Sequence, residues 1–298
     1  MKWKHFLLCV VVLGLCCLPP LAKAQNQSTQ KFAYESWNQP FKPFRIIGNI
    51  YYVGTSNLAC YLITTPGGHI LIDTAMQESS PIVRANIESL GYKLKYIRII
   101  LSSHAHFDHV AGHADMKAAT GAQVYATAAD ALTLESGGAK GFHPLGNYKP
   151  VKVDRIIKDG EIVRLGGVAL TAHLTPGHTE GNTTWTTTVE ENGKKYDVVF
   201  AGSMSINPGV KMVNNPTWPG VAEAYAKSFQ TLKSLHCDVF LGPHAPFFDM
   251  ETKVKRMATD TKTNPFIDPE GFRNYIAGFE KSYNEQLAKE RKQPDSGK

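Results

Sequence analysis

Residues 104–109 contain four side chains that can bind a metal ion within six positions. They read His-Ala-His-Phe-Asp-His and closely follow the strand-like, apolar run Ile97–Leu101. Sheets of α/β proteins present their chemistry at the carboxyl ends of strands, because loops there can orient side chains without disturbing the core. Imidazole nitrogens and carboxylate oxygens suit zinc, which takes about four ligands. The segment therefore indicates a metal site at the end of a strand.

Two isolated histidines lie in matching positions. His178 follows one strand-like run in the sequence Thr-Pro-Gly-His-Thr, and His244 follows another in Leu-Gly-Pro-His. Each alone is typical of an ordinary surface or core histidine. Together with residues 104–109 they provide six ligands, enough for two sets of three. A zinc ion with three protein ligands keeps a position for water or substrate, which is typical of catalytic sites.

The elements that must position these residues alternate between strand and helix patterns. Strand-like runs rich in β-branched and aromatic residues cover 46–53, 60–63, 70–72, 168–175, 183–189, 198–201 and 239–241. Apolar residues at helical spacing cover 82–90, 221–235 and 272–287, and a short helix is expected over 110–120. Because no linker, repeat or low-complexity segment interrupts the pattern, residues 44–298 are predicted to form one α/β domain in which helices cover sheets.

The first 24 residues have the pattern of a secretory signal peptide. Residues 1–5 are basic, residues 6–18 are almost wholly apolar, and Ala22 and Ala24 occupy the two positions that a signal peptidase reads. The apolar run is too short to span a bilayer comfortably. We therefore predict export, with cleavage rather than a retained membrane anchor, and a loosely ordered lead-in over residues 25–43.

Composition limits the remaining possibilities. Lys2, Lys4 and Lys23 supply half of the net charge of +6, and the rest gives no case for nucleic-acid binding. After signal cleavage only Cys60 and Cys237 remain, so at most one disulfide is possible and a cysteine-built metal site is not expected. Nothing in the sequence indicates an obligate interface, and a monomer is expected.

The order and spacing of the histidine segments resemble the metallo-β-lactamase superfamily over nearly the whole mature chain. The resemblance implies a four-layer αββα sandwich with two zinc ions at one edge of the sheets. The implied ligands of the first zinc are His104, His106 and His178. The implied ligands of the second are Asp108, His109 and His244. Residues 72–74 match a strand end of the family at which an aspartate supports the metal loop.

Residues 200–205 indicate which subgroup of the superfamily the chain resembles. Thioesterases of the glyoxalase II type, lactonases and related nucleases carry a bridging aspartate near here, and other β-lactamase subclasses carry a cysteine. This chain has Gly202 and Ser203. A serine-bearing segment without a bridging acid, together with His109, resembles the third subclass (B3) of di-zinc β-lactamases. Residues 40–54, 174–185 and 207–209 resemble its Legionella-type branch. The implied substrate is a small-molecule β-lactam antibiotic, and the implied location is the periplasm.

The resemblance also implies a mechanism. A zinc-bound hydroxide would attack the lactam carbonyl, since zinc lowers the pKa of bound water to about 7. A water oriented near Asp108 would return a proton to the leaving nitrogen. Ser203 and Ser205, with Asn207 as a further candidate, would donate hydrogen bonds to the substrate carboxylate. Ordinary strand-end hydroxyls are the alternative interpretation of these serines.

Two other functions stay open. A lactone or thioester hydrolase of the same fold predicts an acidic bridging ligand, and a non-catalytic zinc protein predicts closed or incomplete ligand sets. The chain also departs from many relatives at Val210, where a tyrosine is common, and at Phe272, where a cysteine can pair with position 237. Glu180 is expected to alter the electrostatics near the His178 loop. Five further histidines are not expected to bind metal: His69, His113, His143, His173 and His236.

Overall fold

The structure is a computed structural model that describes residues 34–143, 146–260 and 262–292. The predicted signal peptide, residues 1–24, and the first part of the predicted lead-in lie outside these residues. The chain from Trp37 onward forms one compact unit. No helix within the described ranges has both the length and the apolar character needed to cross a membrane.

Twelve strands of the described chain form two sheets. The seven-stranded sheet has the order β1-β2-β3-β4-β5-β6-β7, and the five-stranded sheet has the order β12-β11-β10-β9-β8. Strands of the first sheet are β1 (Phe44–Ile47), β2 (Ile50–Tyr52), β3 (Tyr61–Thr65), β4 (Gly68–Ile72), β5 (Ile97–Leu101), β6 (Gln123–Thr127) and β7 (Arg155–Ile157). Strands of the second are β8 (Ile162–Leu165), β9 (Val168–Leu174), β10 (Thr183–Glu191), β11 (Lys194–Phe200) and β12 (Val239–Leu241).

Helices lie outside both sheets. They are α1 (Ser80–Ser89), α2 (Phe107–Val110), α3 (His113–Thr120), α4 (Ala128–Glu135), α5 (Val221–Ser234), α6 (Met250–Thr259) and α7 (Pro269–Lys292). Helix α3 contacts β5 and β6, and α4 contacts β6 and β7. On the other side α7 contacts β12 and packs against α5. The predicted four-layer αββα arrangement is confirmed.

One apolar core fills the space between the two sheets. Tyr61 of the first sheet contacts Phe200 of the second with ring centroids 5.1 Å apart, and both side chains are buried. Strand β5 is buried at every position except Arg98, so the run predicted as wholly apolar has one outward-facing charge. Burial of apolar surface at about 25 cal/mol per Å² drives this packing. Cys60 and Cys237 are both buried and free, so they form no disulfide.

Two predicted elements prove to be divided. The strand predicted over residues 46–53 is two strands, β1 and β2, which pair antiparallel around a turn where Gly48 has a φ of +51°. The helix predicted over residues 110–120 is interrupted at Ala111 and Gly112, so that only its first residue belongs to α2 and residues 113–120 form α3. A Cβ at position 112 would lie 2.6 Å from the Thr74 carbonyl oxygen, so the chain passes too close to its neighbour there for a larger residue.

The direction of the strands brings several chain segments to one edge of the sandwich. Strands β4 and β5 are parallel, as are β11 and β12, and β9 runs with β11 because both are antiparallel to β10. Trp185 Nε1 donates to the Ser102 carbonyl at 2.9 Å, and Tyr61 Oη donates to the Gly242 carbonyl at 2.5 Å. These hydrogen bonds connect the two sheets at the edge where the histidine segments emerge.

Candidate metal centre

Six predicted ligands converge at this edge in two adjacent sets. The first set is His104, His106 and His178, and the second set is Asp108, His109 and His244. Within each set one potential ligand atom per residue lies within 4.8 Å of the others. The rings of His104 and His109 have centroids 4.2 Å apart, so the sets are neighbours. The structure brings together every predicted ligand, and their binding of metal stays a prediction.

Local chain geometry explains how residues 104–109 serve both sets. The chain leaves β5 in an extended conformation and turns into the short helix α2, which has His106 as its N-cap. The helical turn places Asp108 and His109 in the second set, with the His109 ring 4.2 Å from that of His104. His178 follows β9, and His244 follows β12, so each set combines residues from both sheets.

Asp73, immediately after β4, holds the loop that carries the ligands. Its carboxylate accepts hydrogen bonds from the Ser103 backbone N–H and from Ser103 Oγ, each at 2.7 Å. Ser103 Oγ lies 3.1 Å from His104 Nδ1, and Asp73 Oδ2 lies 3.3 Å from His109 Nδ1. When these Nδ1 atoms donate, the Nε2 atoms of both rings are left with lone pairs for a metal ion.

The two ligands outside residues 104–109 are oriented in the same way. His178 Nδ1 donates to the Ser205 carbonyl at 2.6 Å, and His244 Nδ1 lies 2.8 Å from Asn57 Oδ1. Sequence reasoning missed Asn57. It is 187 positions from His244, so its role depends on the tertiary fold.

Burial keeps most of these imidazoles neutral. It lowers the pKa of His104 and His106 well below the usual value, and neighbouring imidazoles add to the effect. Burial also lowers the pKa of His178 to about 4 and that of His244 to about 3. Because a metal ion binds the neutral ring, these four side chains are in the form that a ligand requires.

Asp108 and His109 form an ion pair inside the second set. Burial opposes the charge of His109, but the Asp108 and Asp73 carboxylates outweigh it and raise the pKa of His109 to about 10. Burial also opposes the charge of Asp108, yet the facing His109 holds the pKa of that carboxyl below its usual range. Asp108 Oδ2 and His109 Nε2 are 3.3 Å apart. A cation in this set would replace the proton on His109.

The surroundings of His106 fit a bound metal ion. Its Nδ1 lies 3.0 Å from His178 Nε2, and its Nε2 is buried without a hydrogen-bond partner among the described residues. Because His178 Nδ1 donates to Ser205, the His178 Nε2 atom carries a lone pair, and a metal ion bound there and at His106 Nδ1 would give both nitrogens a partner. Three imidazoles in one set, and two imidazoles with a carboxylate in the other, are donor sets that suit zinc.

The predicted substrate-binding residues lie beside the first set. Ser203 is buried, and its Oγ is 3.2 Å from Ser205 Oγ. Ser205 Oγ is in turn 3.3 Å from His178 Nδ1, while Asn207 Nδ2 lies 3.5 Å from the His178 carbonyl oxygen. The structure thus groups all three around one ligand histidine. Their contact with substrate stays a prediction.

The remaining histidines have other partners. His113 is buried between Thr74 Oγ1 at 2.8 Å and Ser102 Oγ at 3.0 Å, so it joins the two loops that precede the ligands. His143 borders the first set, with its ring 6.4 Å from that of His106. His236 is exposed and forms a third potential ligand group with Asp197 and Asp238, whose polar atoms already bond to one another or to the backbone.

Fold and site together define an enzyme of the metal-dependent hydrolase class, and similarity to known proteins agrees. The sequence profile described as "Metallo-beta-lactamase superfamily" matches residues 53–244. The chain therefore belongs to the metallo-β-lactamase superfamily, as the sequence resemblance predicted.

Solved structures similar to this chain include several metallo-β-lactamases. The native FEZ-1 metallo-β-lactamase from Legionella gormanii is 45% identical, with a TM-score of 0.83 over 85% of this chain and 98% of that one. BJP-1, a subclass B3 metallo-β-lactamase of Bradyrhizobium japonicum, is 40% identical, with a TM-score of 0.81 over 88% of this chain and 100% of that one. The predicted resemblance to subclass B3 is confirmed.

Curated relatives carry a different name. The hydroxyacylglutathione hydrolase of Rhodospirillum rubrum is 32% identical over 116 residues, which are 39% of this chain and 37% of that protein. The chain thus matches little more than a third of the length of that relative. This similarity supports the superfamily and leaves the substrate open.

Proposed function

We propose that this protein is a periplasmic zinc β-lactamase that hydrolyses the amide bond of β-lactam antibiotics and so confers resistance. The observation that carries the proposal is the pairing of two complete three-residue sets with a β11 end that bears Gly202 and Ser203 in place of an acidic ligand. Similarity over about 85% of the chain to structures named as metallo-β-lactamases supports the same substrate class.

In this proposal His104, His106 and His178 hold one zinc ion, and Asp108, His109 and His244 hold the other. Bound zinc would supply a Lewis acid for the lactam carbonyl and would lower the pKa of water into the neutral range. The Asp108 carboxylate, whose pKa lies below its usual range, is ionised and would orient a water that returns a proton to the leaving nitrogen. Ser203, Ser205 and Asn207 would bind the substrate carboxylate.

Thioester hydrolysis is the second candidate, because the curated relatives are named hydroxyacylglutathione hydrolases. The end of β11 argues against it, since neither Gly202 nor Ser203 can provide the acidic ligand expected of that group. The two candidates differ in the bond that is cleaved, so measuring the turnover of each substrate separates them directly.

The test is hydrolysis of a carbapenem, a cephalosporin and a glutathione thioester by the purified protein, followed by absorbance. We expect β-lactam turnover that a chelator abolishes and added zinc restores. Turnover of the thioester alone would support the second candidate. Absence of all turnover in protein shown to hold two zinc ions would contradict both.

Export is part of the proposal and is tested separately. The basic and apolar pattern of residues 1–24 supports cleavage after Ala24. Fractionation of an expressing Gram-negative cell, followed by N-terminal sequencing, should give a periplasmic protein that begins at Gln25. A full-length chain in the membrane fraction would contradict this expectation.

A further inference from the structure

Asp130 is a buried carboxylate directly behind the first ligand set. It is the third residue of α4 and is only 4% exposed. Thr127, the N-cap of this helix, accepts a hydrogen bond from the Asp130 backbone N–H at 3.2 Å. An acidic residue at this position often bonds back to its own helix N-terminus. Here the carboxyl lies against the backbone of Ala105: burial raises the pKa of Asp130, and that backbone partly offsets the rise.

Ala105 is the residue between His104 and His106, so its backbone determines how those two rings are spaced. Its backbone lies against the Asp130 carboxyl, and its carbonyl accepts a hydrogen bond from Tyr148 Oη at 3.1 Å. Asp130 and Tyr148, both outside the loop, therefore restrict the backbone of this middle residue. Neither contact involves Asp73, which binds the loop at Ser103.

The loop that carries His178 packs on the same carboxylate. A Cβ at Gly181 would lie 2.3 Å from Asp130 Cγ and Oδ1, and also 2.3 Å from Thr127 Oγ1. Real Cβ atoms do not approach other atoms so closely, so only glycine permits this contact. Asp130 therefore touches both chain segments that supply the three histidines of the first set.

We propose that Asp130 is a positioning residue for the first metal set, because its carboxylate fixes the separation between the His104–His106 loop and the His178 loop. The inference rests on the proposed metal site. It assigns the first set a second support, in addition to Asp73, which reaches His104 through Ser103 and His109 directly. Loss of such supporting contacts commonly weakens metal affinity 10- to 100-fold.

The test measures zinc dissociation constants of both sets by competition with a chromophoric chelator. In Asp130→Ala we expect the first-set constant to rise about 10- to 100-fold, with the second within about threefold of wild type. Asp130→Asn, which keeps an acceptor oxygen, should stay within about threefold at both sets. Cobalt(II) in place of zinc assigns each change, because three imidazoles give a different ligand field from a set with a carboxylate.

Two further variants separate positioning from general destabilisation. Gly181→Ala leaves Asp130 in place but forces the loops apart, and it should weaken the first set selectively. Asp115→Ala removes an exposed aspartate near Lys149 and should change neither constant. If Asp130→Ala does not fold, Gly181→Ala and Asp130→Asn decide the matter.

Two results would overturn the inference. The first is unchanged zinc affinity of the first set in Asp130→Ala or, if that variant does not fold, in Gly181→Ala. The second is a loss of zinc affinity in Asp130→Asn as large as that in Asp130→Ala. A wild-type protein that binds no zinc would instead refute the proposed function itself.

Discussion

At the scale of single residues, the hydrogen bond at one ring nitrogen of a histidine determines whether the other ring nitrogen can bind metal. His104, His109, His178 and His244 each place Nδ1 against an oxygen supplied by another residue. These oxygens come from a serine hydroxyl, a carboxylate, a backbone carbonyl and an asparagine amide. Each partner fixes one tautomer and the orientation of one ring, so substitution at a partner should alter metal affinity without removing a ligand.

Asn57→Ala provides the first such test. Without the oxygen that holds His244 Nδ1 at 2.8 Å, the ring is free to rotate, and the second zinc should bind about 10- to 100-fold more weakly. Zinc competition measures this change. Asn49→Ala is the matched control, because Asn49 is also a half-buried turn asparagine but bonds the Thr64 carbonyl, away from the site. Equal effects of the two substitutions would contradict the assigned role.

The buried His113 should make the free energy of unfolding depend on pH. Burial lowers its pKa to about 3, whereas an unfolded chain takes up this proton near pH 6.5. Between these values the unfolded state binds more protons, so stability falls as the pH falls, by up to about 1.4 kcal/mol per pH unit. Above pH 6.5 this group contributes no pH dependence.

The measurement is urea unfolding of the metal-free protein at several pH values. His113→Asn should lose part of the slope between pH 6.5 and 4, corresponding to about one proton. Asn49→Ala, which removes a half-buried polar side chain that does not titrate, should keep the wild-type slope. A His113→Asn variant with the wild-type slope would show that the proton is bound elsewhere.

At the scale of elements, the loops after the strands are shaped by close backbone contacts. Gly177, next to His178, has a φ of +146°, and a Cβ there would lie 2.7 Å from the Tyr225 ring. Tyr225 Oη donates to the Ser205 carbonyl at 2.8 Å, the same oxygen that orients His178. Helix α5 thereby supports the His178 loop through one aromatic side chain.

Gly177→Ala should therefore disturb the first ligand set. We expect a loss of about 1–3 kcal/mol in stability from the overpacking, together with weaker zinc binding at the first set. Chemical denaturation and zinc competition check the two effects. Gly160→Ala is the control, because it also changes a glycine with positive φ but has open space around the new Cβ. Equal loss of zinc affinity in both variants would contradict the packing argument.

Sequence periodicity predicted the elements that have a clear pattern. Strand β12 was predicted with its observed bounds, and α5 within one residue. Strands β6, β7 and β8 and helices α4 and α6 were not predicted. Their apolar residues are short runs or lie at exposed edges, as in β7, where two of three residues are exposed. Local pattern is weak in such elements because pairing with neighbouring strands stabilises them.

The potential ligands of the candidate site could be predicted from the sequence, but the residues that support them could not. The potential ligands were evident because unusual residue types cluster in one segment and recur after strands. Asn57, Ser103 and Asp130 carry no such pattern, since serine, asparagine and aspartate are common in turns and helix starts. Their contacts depend on strand order and loop packing, which only the tertiary structure provides.

At the scale of the whole molecule, each ligand set joins the two sheets. Zinc that binds only the folded chain should stabilise it by about 2.7 kcal/mol per site at a free concentration 100 times the dissociation constant. Chelation should therefore lower the melting temperature by several degrees. Calorimetry with and without chelator measures the shift. A variant with His104 and His109 both replaced by alanine should show no further shift, and an unchanged wild-type melting temperature would contradict the expectation.

The division of ligands between the sheets also has a consequence during synthesis. Residues 104–109 emerge early, but the first set is complete only once His178 has been made, and the second only after His244. A prematurely terminated chain that ends between these positions can assemble one set at most, and one that ends before His178 can assemble neither. Metal content would therefore report whether a chain is complete. Bound zinc would favour finished molecules over fragments in a compartment where proteases degrade chains that stay unfolded.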